Sequence, residues 1–230
     1  MYKYEMHIHS CACSACARSD SLEIVDAAKK GGYSGLVFTN HFYHGNTAID
    51  RALEWKDFVM PYYEDYLKAR EYGKTIDIDV LFGIEEGYGK GKEALIYGVD
   101  PLIIANTPKL AETDIEFLSS FVRENGGFIA CAHPFRDRGY ITDADEEPDM
   151  RYFDAVEVYN QHNSDEDNKK AEEFVIKNNL KTISGGDHHI AEEVATSKAG
   201  IVVSKRIRDE KELVRVLKSD SYSCAIPSIL

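Results

Sequence analysis

The segments YEMHIHS (residues 4–10) and ISGGDHH (residues 183–189) lie far apart in the chain, yet both read as short apolar strands closed by histidine or aspartate. Three segments between them have the same form: VFTNH (37–41), LFGIEEGY (81–88) and IACAHPF (129–135). Around them, β-branched runs alternate with amphipathic stretches from end to end, the pattern of βαβ units around a parallel sheet. The runs are Tyr4 to His9, Gly35 to Asn40, Val80 to Glu85, Ala94 to Val99, Gly127 to Ala132, Ala155 to Tyr159, Lys181 to Ser184 and Gly200 to Val203. In a parallel barrel all C-terminal strand ends face one rim, so five polar endings distant in sequence converge on one place. A doubly wound sheet gathers fewer of them at its single crevice. The expected fold is therefore an α/β barrel spanning residues 1–230 as one domain.

Helices are expected between the runs. Leu22 to Lys30 has Asp20 and Glu23 in capping-box spacing ahead of it and Gly31-Gly32 after it. Ile115 to Glu124 repeats the pattern, with Thr113 and Glu116 at its start and Gly126-Gly127 at its end. Further helices are expected near Ala48 to Tyr72, Asp165 to Asn178 and Asp209 to Lys218, and the acidic run Asp143 to Asp149 reads as a long surface loop.

The 230 residues, 43% of them hydrophobic, suffice for one well-buried core. No apolar stretch is long enough to span a membrane, and the N-terminus MYKYEMHIHS carries a strand where a signal peptide has its apolar run. A cytoplasmic protein is expected. The net charge of −13 argues against nucleic-acid backbone as the main partner. Five cysteines, three of them crowded at Cys11, Cys13 and Cys16, suit reduced thiols better than a disulfide framework.

The polar endings point to metal. His7 and His9 flank one residue, and the period of two in a strand turns both imidazoles to one face. Asp187 and His189 have the same spacing, with His188 directed away. Glu85 and His133 each close an apolar run, where an unpartnered polar group is costly to bury. One polynuclear site accounts for all five endings together. Arg136, in HPFR, is the best-placed cation for an anionic substrate, against the alternative of a loop arginine paired with Asp137 or the acidic run. Lys90 and Lys92 stand in or beside a glycine-rich loop and are not assigned; His44 and His162 lie off the pattern and read as surface histidines.

The motifs in their order resemble the polymerase and histidinol phosphatase (PHP) family. That family has HxH, T-D-H, a glutamate, H-P and D-x-H; here these are His7-Ile8-His9, Thr39-Asn40-His41, Glu85, His133-Pro134 and Asp187-His188-His189. The resemblance implies a distorted (β/α)7 barrel with two or three divalent ions, usually zinc, manganese or iron. It implies that His7, His9, Glu85 and Asp187 hold the first ion, with Glu85 bridging to a second that His133 also binds, and that His41 and His189 hold a third. Clustered divalent ions make hydroxide available near neutral pH, so the expected reaction is hydrolysis of a phosphate ester by a hydroxide bridging the ions of a di- or trinuclear site, and the short chain suggests a small phosphorylated substrate.

The chain departs from the pattern in three places. Where relatives carry a His or Asp after HxH, the nearest match is Ser14-Ala15-Cys16-Ala17, so Cys16 is either a thiolate ligand or a reduced loop thiol. Leu95-Ile96-Tyr97-Gly98 lacks the histidine that many relatives place after the glutamate strand, which leaves the second ion weak or completed by water or substrate. Asn40 replaces an aspartate that would orient His41. Two other readings remain open: an amidohydrolase-type barrel cleaving C–N bonds, and a metal-binding sensor or interaction module without turnover.

Overall fold

A computed structural model describes residues 1–112 and 114–227. Its strands are β1 Tyr2–Ile8, β2 Gly35–His41, β3 Asp79–Gly89, β4 Lys92–Tyr97, β5 Phe128–Cys131, β6 Ala155–Asn160, β7 Thr182–Gly185, β8 Ile201–Val203 and β9 Tyr222–Cys224. They form one sheet in the order β7-β6-β5-β4-β3-β2-β1-β8-β9. The sheet curls until its far strands meet. Beyond the ends of β1 and β7, Asp187 N–H donates to His7 O at 2.8 Å and His9 N–H to His188 O at 2.9 Å. At the other end the β8–β9 pair fills the gap, where Tyr222 Oη donates to Thr182 O and Ser184 Oγ to Ala225 O. The result is a nearly closed barrel of the expected class.

The parallel alternation fails where β8 pairs antiparallel with both β1 and β9, and at two further points. β4 runs antiparallel to both β3 and β5. A tight turn joins β3 to β4, with positive φ at Gly89, Lys90 and Gly91 (109°, 55° and 75°), and it leaves no room for a crossover helix. Between β5 and β6 there is likewise no helix, only the loop that holds the acidic run. This loop is tied down by ion pairs of Glu146 with Lys90, Asp145 with Lys170 and Glu147 with Lys177. All three pairs face solvent, where screening leaves them little weight in stability.

The helices are α1 Ser21–Lys30, α2 Trp55–Thr75, α3 Pro101–Ala105, α4 Ile115–Glu124, α5 Asp165–Asn178, α6 Ala191–Thr196 and α7 Glu210–Lys218. The α1 capping box forms as its spacing predicts, with Asp20 accepting from Leu22 and Glu23 N–H, and Glu23 accepting from Asp20 N–H. The helix expected from Ala48 begins only at Trp55, because Thr47 bridges to Ser14 and Arg51 donates to the carbonyls of Tyr43 and Gly45. For α4 the expected cap Thr113 lies outside the described residues; Asp114 caps it by accepting from Phe117 N–H. Among the described residues no helix is long and apolar enough to cross a membrane.

Alternate residues divide the core into two layers. Leu36 and Phe38 of β2 face outward onto Ile24 and Val25 of α1 and Phe58 and Tyr62 of α2. Val37, Leu81, Leu95 and Ala130 face inward with Tyr4, Met6 and Ile183, and α7 packs Leu213, Val214 and Leu217 against this inner cluster. Each such large side chain contributes roughly 1.5–3 kcal/mol by burial.

One irregularity positions the first motif. Glu5 pairs with Leu36 and Ile8 with Phe38, so β1 spends one residue more than β2 over this interval. Such a bulge reverses the in–out alternation. Met6 and His7 both therefore face the interior, while Glu5 and Ile8 face out. The Glu5 carboxylate holds the bulge by accepting from the N–H groups of Met6, His7 and Gly186.

Candidate metal centre

Glu85 is the hub of the rim. It closes the part of β3 that pairs with β2, opposite His41 in parallel register and Leu95 in antiparallel register. Its Oε1 lies 3.1 Å from both His7 Nε2 and His133 Nε2, and its Oε2 lies 2.9 Å from His41 Nδ1 and 3.5 Å from His9 Nε2. Asp187 closes the opposite side, with Oδ1 at 3.0 Å from His9 Nε2 and 3.4 Å from His7 Nε2. His189 stacks on His9 with ring centroids 4.3 Å apart. The structure thus brings His7, His9, His41, Glu85, His133, Asp187 and His189 together.

The backbone is strained where it turns these groups inward. His133 and Asp187 have φ of 26° and 57°, in the region that β-carbons disfavour. Gly185 and Gly186 are needed for close packing inside the protein. A β-carbon at Gly185 would sit 2.4 Å from His7 Cβ, and one at Gly186 would collide with the His188 ring.

Hydrogen bonds fix three imidazoles so that Nε2 faces the cluster. A carboxylate only accepts, so His7 donates from Nδ1 to Glu157 Oε1 at 2.9 Å. A carbonyl only accepts, so His189 donates from Nδ1 to Asp187 O at 2.8 Å. His9 donates from Nδ1 to Ser14 Oγ at 3.2 Å, because that hydroxyl donates in turn to Asn40 Oδ1 at 3.0 Å. Contrary to the expectation from the sequence, Asn40 does not orient the His41 ring. It accepts from Ser14 and from Ser10 N–H, and acts on His9 through Ser14.

The donor set fits divalent cations. His7 Nε2, His41 Nδ1 and Glu85 Oε2 are buried without a hydrogen-bond partner, although they lie close to opposite partners. Native structures rarely leave such atoms unpaired. Lone pairs aimed at common points, instead of N–H groups aimed at oxygens, are what ligands present. Three groups have donor atoms within 4.8 Å of one another: His7, His9, Glu85 and Asp187; His41, Glu85 and Glu93; and His9, His41 and His189. Burial alone would depress His7 and His41, but the surrounding carboxylates, Glu85 foremost, raise both well above the ordinary imidazole range. Burial likewise pushes Glu85 and Asp187 up, and His7 first among the nearby cations reverses this, holding both well below the carboxylate range.

Glu93 escapes a reading based on strand ends. Its Oε1 lies 3.2 Å from His41 Nδ1 and its Oε2 3.5 Å from His133 Nε2. Because β4 is antiparallel, its beginning, not its end, reaches the rim. The reading that looked for a histidine in Leu95 to Gly98 searched the wrong end of the strand. Glu157, in the middle of β6, also went unassigned; a glutamate between valines in an apolar run was the available signal, and the structure buries it fully.

Arg136 is buried and pairs with Asp187, Nη2 to Oδ2 at 2.6 Å, while Nε donates to Asn163 at 2.8 Å. It pairs with neither Asp137 nor the acidic run. Cys16 sits at the cleft edge. Burial raises its thiol, but hydrogen bonds to His189 and His41 outweigh that and bring it down to about 6. His44 is an exposed histidine, as expected, and donates to the buried Glu86 at 2.6 Å. Above the cluster opens a cleft of about 820 Å³ lined by Cys16, His41, Lys92, Arg136, Tyr140 and His189, among others.

Residues 165–222, which include Asp187 and His189, match the PHP-associated family model PHP_C. No curated protein matches the chain in sequence. Among solved structures, a two-domain protein from Bacteroides vulgatus containing a predicted PHP-like metal-dependent phosphoesterase is 15% identical at TM-score 0.69 over 97% of this chain. This chain spans 64% of that protein's length. An amidohydrolase from Chromobacterium violaceum is 16% identical, with TM-score 0.55 over 84% of this chain and 90% of that one. The lesion-specific endonuclease PfuEndoQ from Pyrococcus furiosus is 14% identical, with TM-score 0.64 over 97% of this chain and 57% of that one. At these identities the likeness establishes a shared barrel fold.

Proposed function

We propose that this chain is a PHP-family, metal-dependent phosphoesterase. The observation that carries the reading is Glu85, whose two oxygens together face His7, His9, His41 and His133 with buried, unpartnered atoms among them. In this reading His7, His9, Glu85 and Asp187 hold one ion. Glu85, His133 and Glu93 hold a second, and His41 and His189 hold a third, with Cys16 beside them. Divalent zinc, manganese or iron in such a site supplies Lewis acidity toward phosphoryl oxygens and makes hydroxide available near neutral pH.

The protein's own groups do the rest. Glu157, Ser14 and the Asp187 carbonyl keep the imidazole protons away from the cluster. Arg136 holds Asp187 in place and lines the cleft, where its charge suits phosphate. Lys92 lines the same cleft and donates only to the carbonyls of Pro134 and Glu146, so its charge is not neutralised by a carboxylate.

The amidohydrolase reading shares the fold, and an endonuclease shares it too. The net charge of −13 is therefore a poor argument against a nucleic-acid phosphoester as substrate. The test is turnover of aryl phosphate mono- and diesters, a short oligonucleotide and an N-acyl amide by protein stripped of metal and reloaded with zinc, manganese or iron(II), with His9→Ala as control. Phosphoester turnover that disappears in the control supports the proposal. Amide turnover alone favours the amidohydrolase, and tight metal binding with no turnover favours the sensor.

A further inference from the structure

We infer that His162, His188 and Glu193 form a further, mononuclear site for a zinc-class divalent ion beyond the end of β7, beside the main cluster, with the His162 and His189 ring centroids 6.5 Å apart. His188 follows Asp187 and precedes His189, so its ring leaves the chain on the opposite side from theirs. The ring is wholly buried, yet among the described residues neither Nδ1 nor Nε2 has a hydrogen-bond partner. A buried imidazole with both nitrogens unpaired is an expensive arrangement unless something binds it.

What it faces has ligand chemistry. Glu193 Oε2 lies 3.9 Å from His188 Nδ1 and 3.1 Å from His162 Nε2. The rings of His162 and His188 meet edge to face at 5.5 Å, and one donor atom from each of the three residues lies within 4.8 Å of the others. Ligand atoms about 2.0–2.2 Å from a tetrahedral zinc stand roughly 3.3–3.6 Å apart, and the observed spacings fall on either side of this. On the other edge of the ring, His188 Nε2 is 3.7 Å from Glu5 Oε2. That separation is too long for a hydrogen bond, so Glu5 leaves Nε2 without a partner. Two imidazoles, one carboxylate and one open position for water suit zinc better than magnesium or calcium, which prefer all-oxygen sites.

The three ligands come from the loop after β6, the residue train after β7, and α6. An ion there ties these segments together immediately behind Asp187 and His189. It also fixes the loop bearing Asn163, the partner of Arg136 Nε. The site is thus a structural clamp on one wall of the main centre, and it does not depend on what reaction that centre performs.

The experiment counts zinc ions per chain by equilibrium dialysis of metal-stripped protein, comparing wild type with His162→Ala, Glu193→Gln and His9→Ala. His162 and Glu193 are partly exposed, so these two substitutions leave the core intact. The expected result is one equivalent fewer in each of them, and a loss in His9→Ala that adds to theirs when combined. Equal counts in wild type, His162→Ala and Glu193→Gln overturn the inference. Anomalous diffraction from zinc-loaded wild-type crystals decides it without any variant: a peak between the three side chains supports it, and none there overturns it.

Discussion

His7 Nδ1 lies 2.9 Å from Glu157 Oε1, so a histidine on β1 takes its tautomer from a glutamate on β6, 150 residues away. The other oxygen of Glu157 accepts from His133 N–H at 2.9 Å and from Asn160 Nδ2 at 3.0 Å. One carboxylate thereby sets both the ring of His7 and the strained backbone of His133.

Glu157→Gln is expected to weaken metal binding or activity by roughly 10- to 100-fold, the usual effect of losing a partner behind a metal-bound histidine. The loss should appear in the metal titration, with unfolding temperature little changed because the amide is isosteric. Unaltered metal affinity would mean that Glu157 is only a buried structural group.

Glu93→Gln is expected to cost one ion, and at least as much affinity as the outer partner Glu157, that is, roughly 10- to 100-fold or more. Metal content by elemental analysis checks it. A full complement of ions in the variant would place Glu93 outside the ligand set.

The Cys16 thiol, lowered to about 6 against an ordinary 9.0, is expected to be thiolate at neutral pH in metal-free protein. Alkylation rate should therefore rise through about pH 6, and His189→Ala should move that midpoint upward because it removes a hydrogen-bond donor. Zinc should protect the thiol if it is a ligand; alkylation indifferent to zinc removes Cys16 from the site.

Asp187 has a folded-state value well below the ordinary 3.8, since His7 and Arg136 reverse the effect of burial. Its linked stability is present above 3.8 and is lost as pH falls from there through the folded value. In metal-free protein Asp187→Asn should thus lower the urea midpoint most at neutral pH, and the gap to wild type should narrow in acid. A gap that widens in acid would contradict this assignment.

Gly185→Ala puts a β-carbon 2.4 Å from that of His7. The strain is expected to cost about 1–3 kcal/mol of stability and to displace His7, lowering metal affinity in the same titration. Wild-type stability and affinity would show that the β1–β7 closure yields more easily than its packing implies.

Much of the site was legible because its residues obey local rules. His7 and His9, or Asp187 and His189, share a face through the period of two, and Glu85 and His133 end apolar runs that cannot tolerate an idle polar group. The α1 cap at Asp20 and Glu23 was equally local. What was missed depended on partners far away in sequence. Whether Ala94 to Val99 crosses over or folds back is decided by the positive-φ turn at Gly89 to Gly91, and with that direction goes the rim position of Glu93. The role of Asn40 likewise turned on Ser14, which nothing in Thr39-Asn40-His41 announces.

The amino-acid sequence alone determined the class of fold and most of the polar residues that meet at one rim, because periodicity and burial cost act over a few residues at a time. Only the tertiary structure decided strand direction, the bulge that admits both Met6 and His7 to the interior, and which carboxylate stands behind which imidazole. Those are matters of closure: they exist only once β1 meets β7 and every buried N–H and oxygen must find its partner across the barrel.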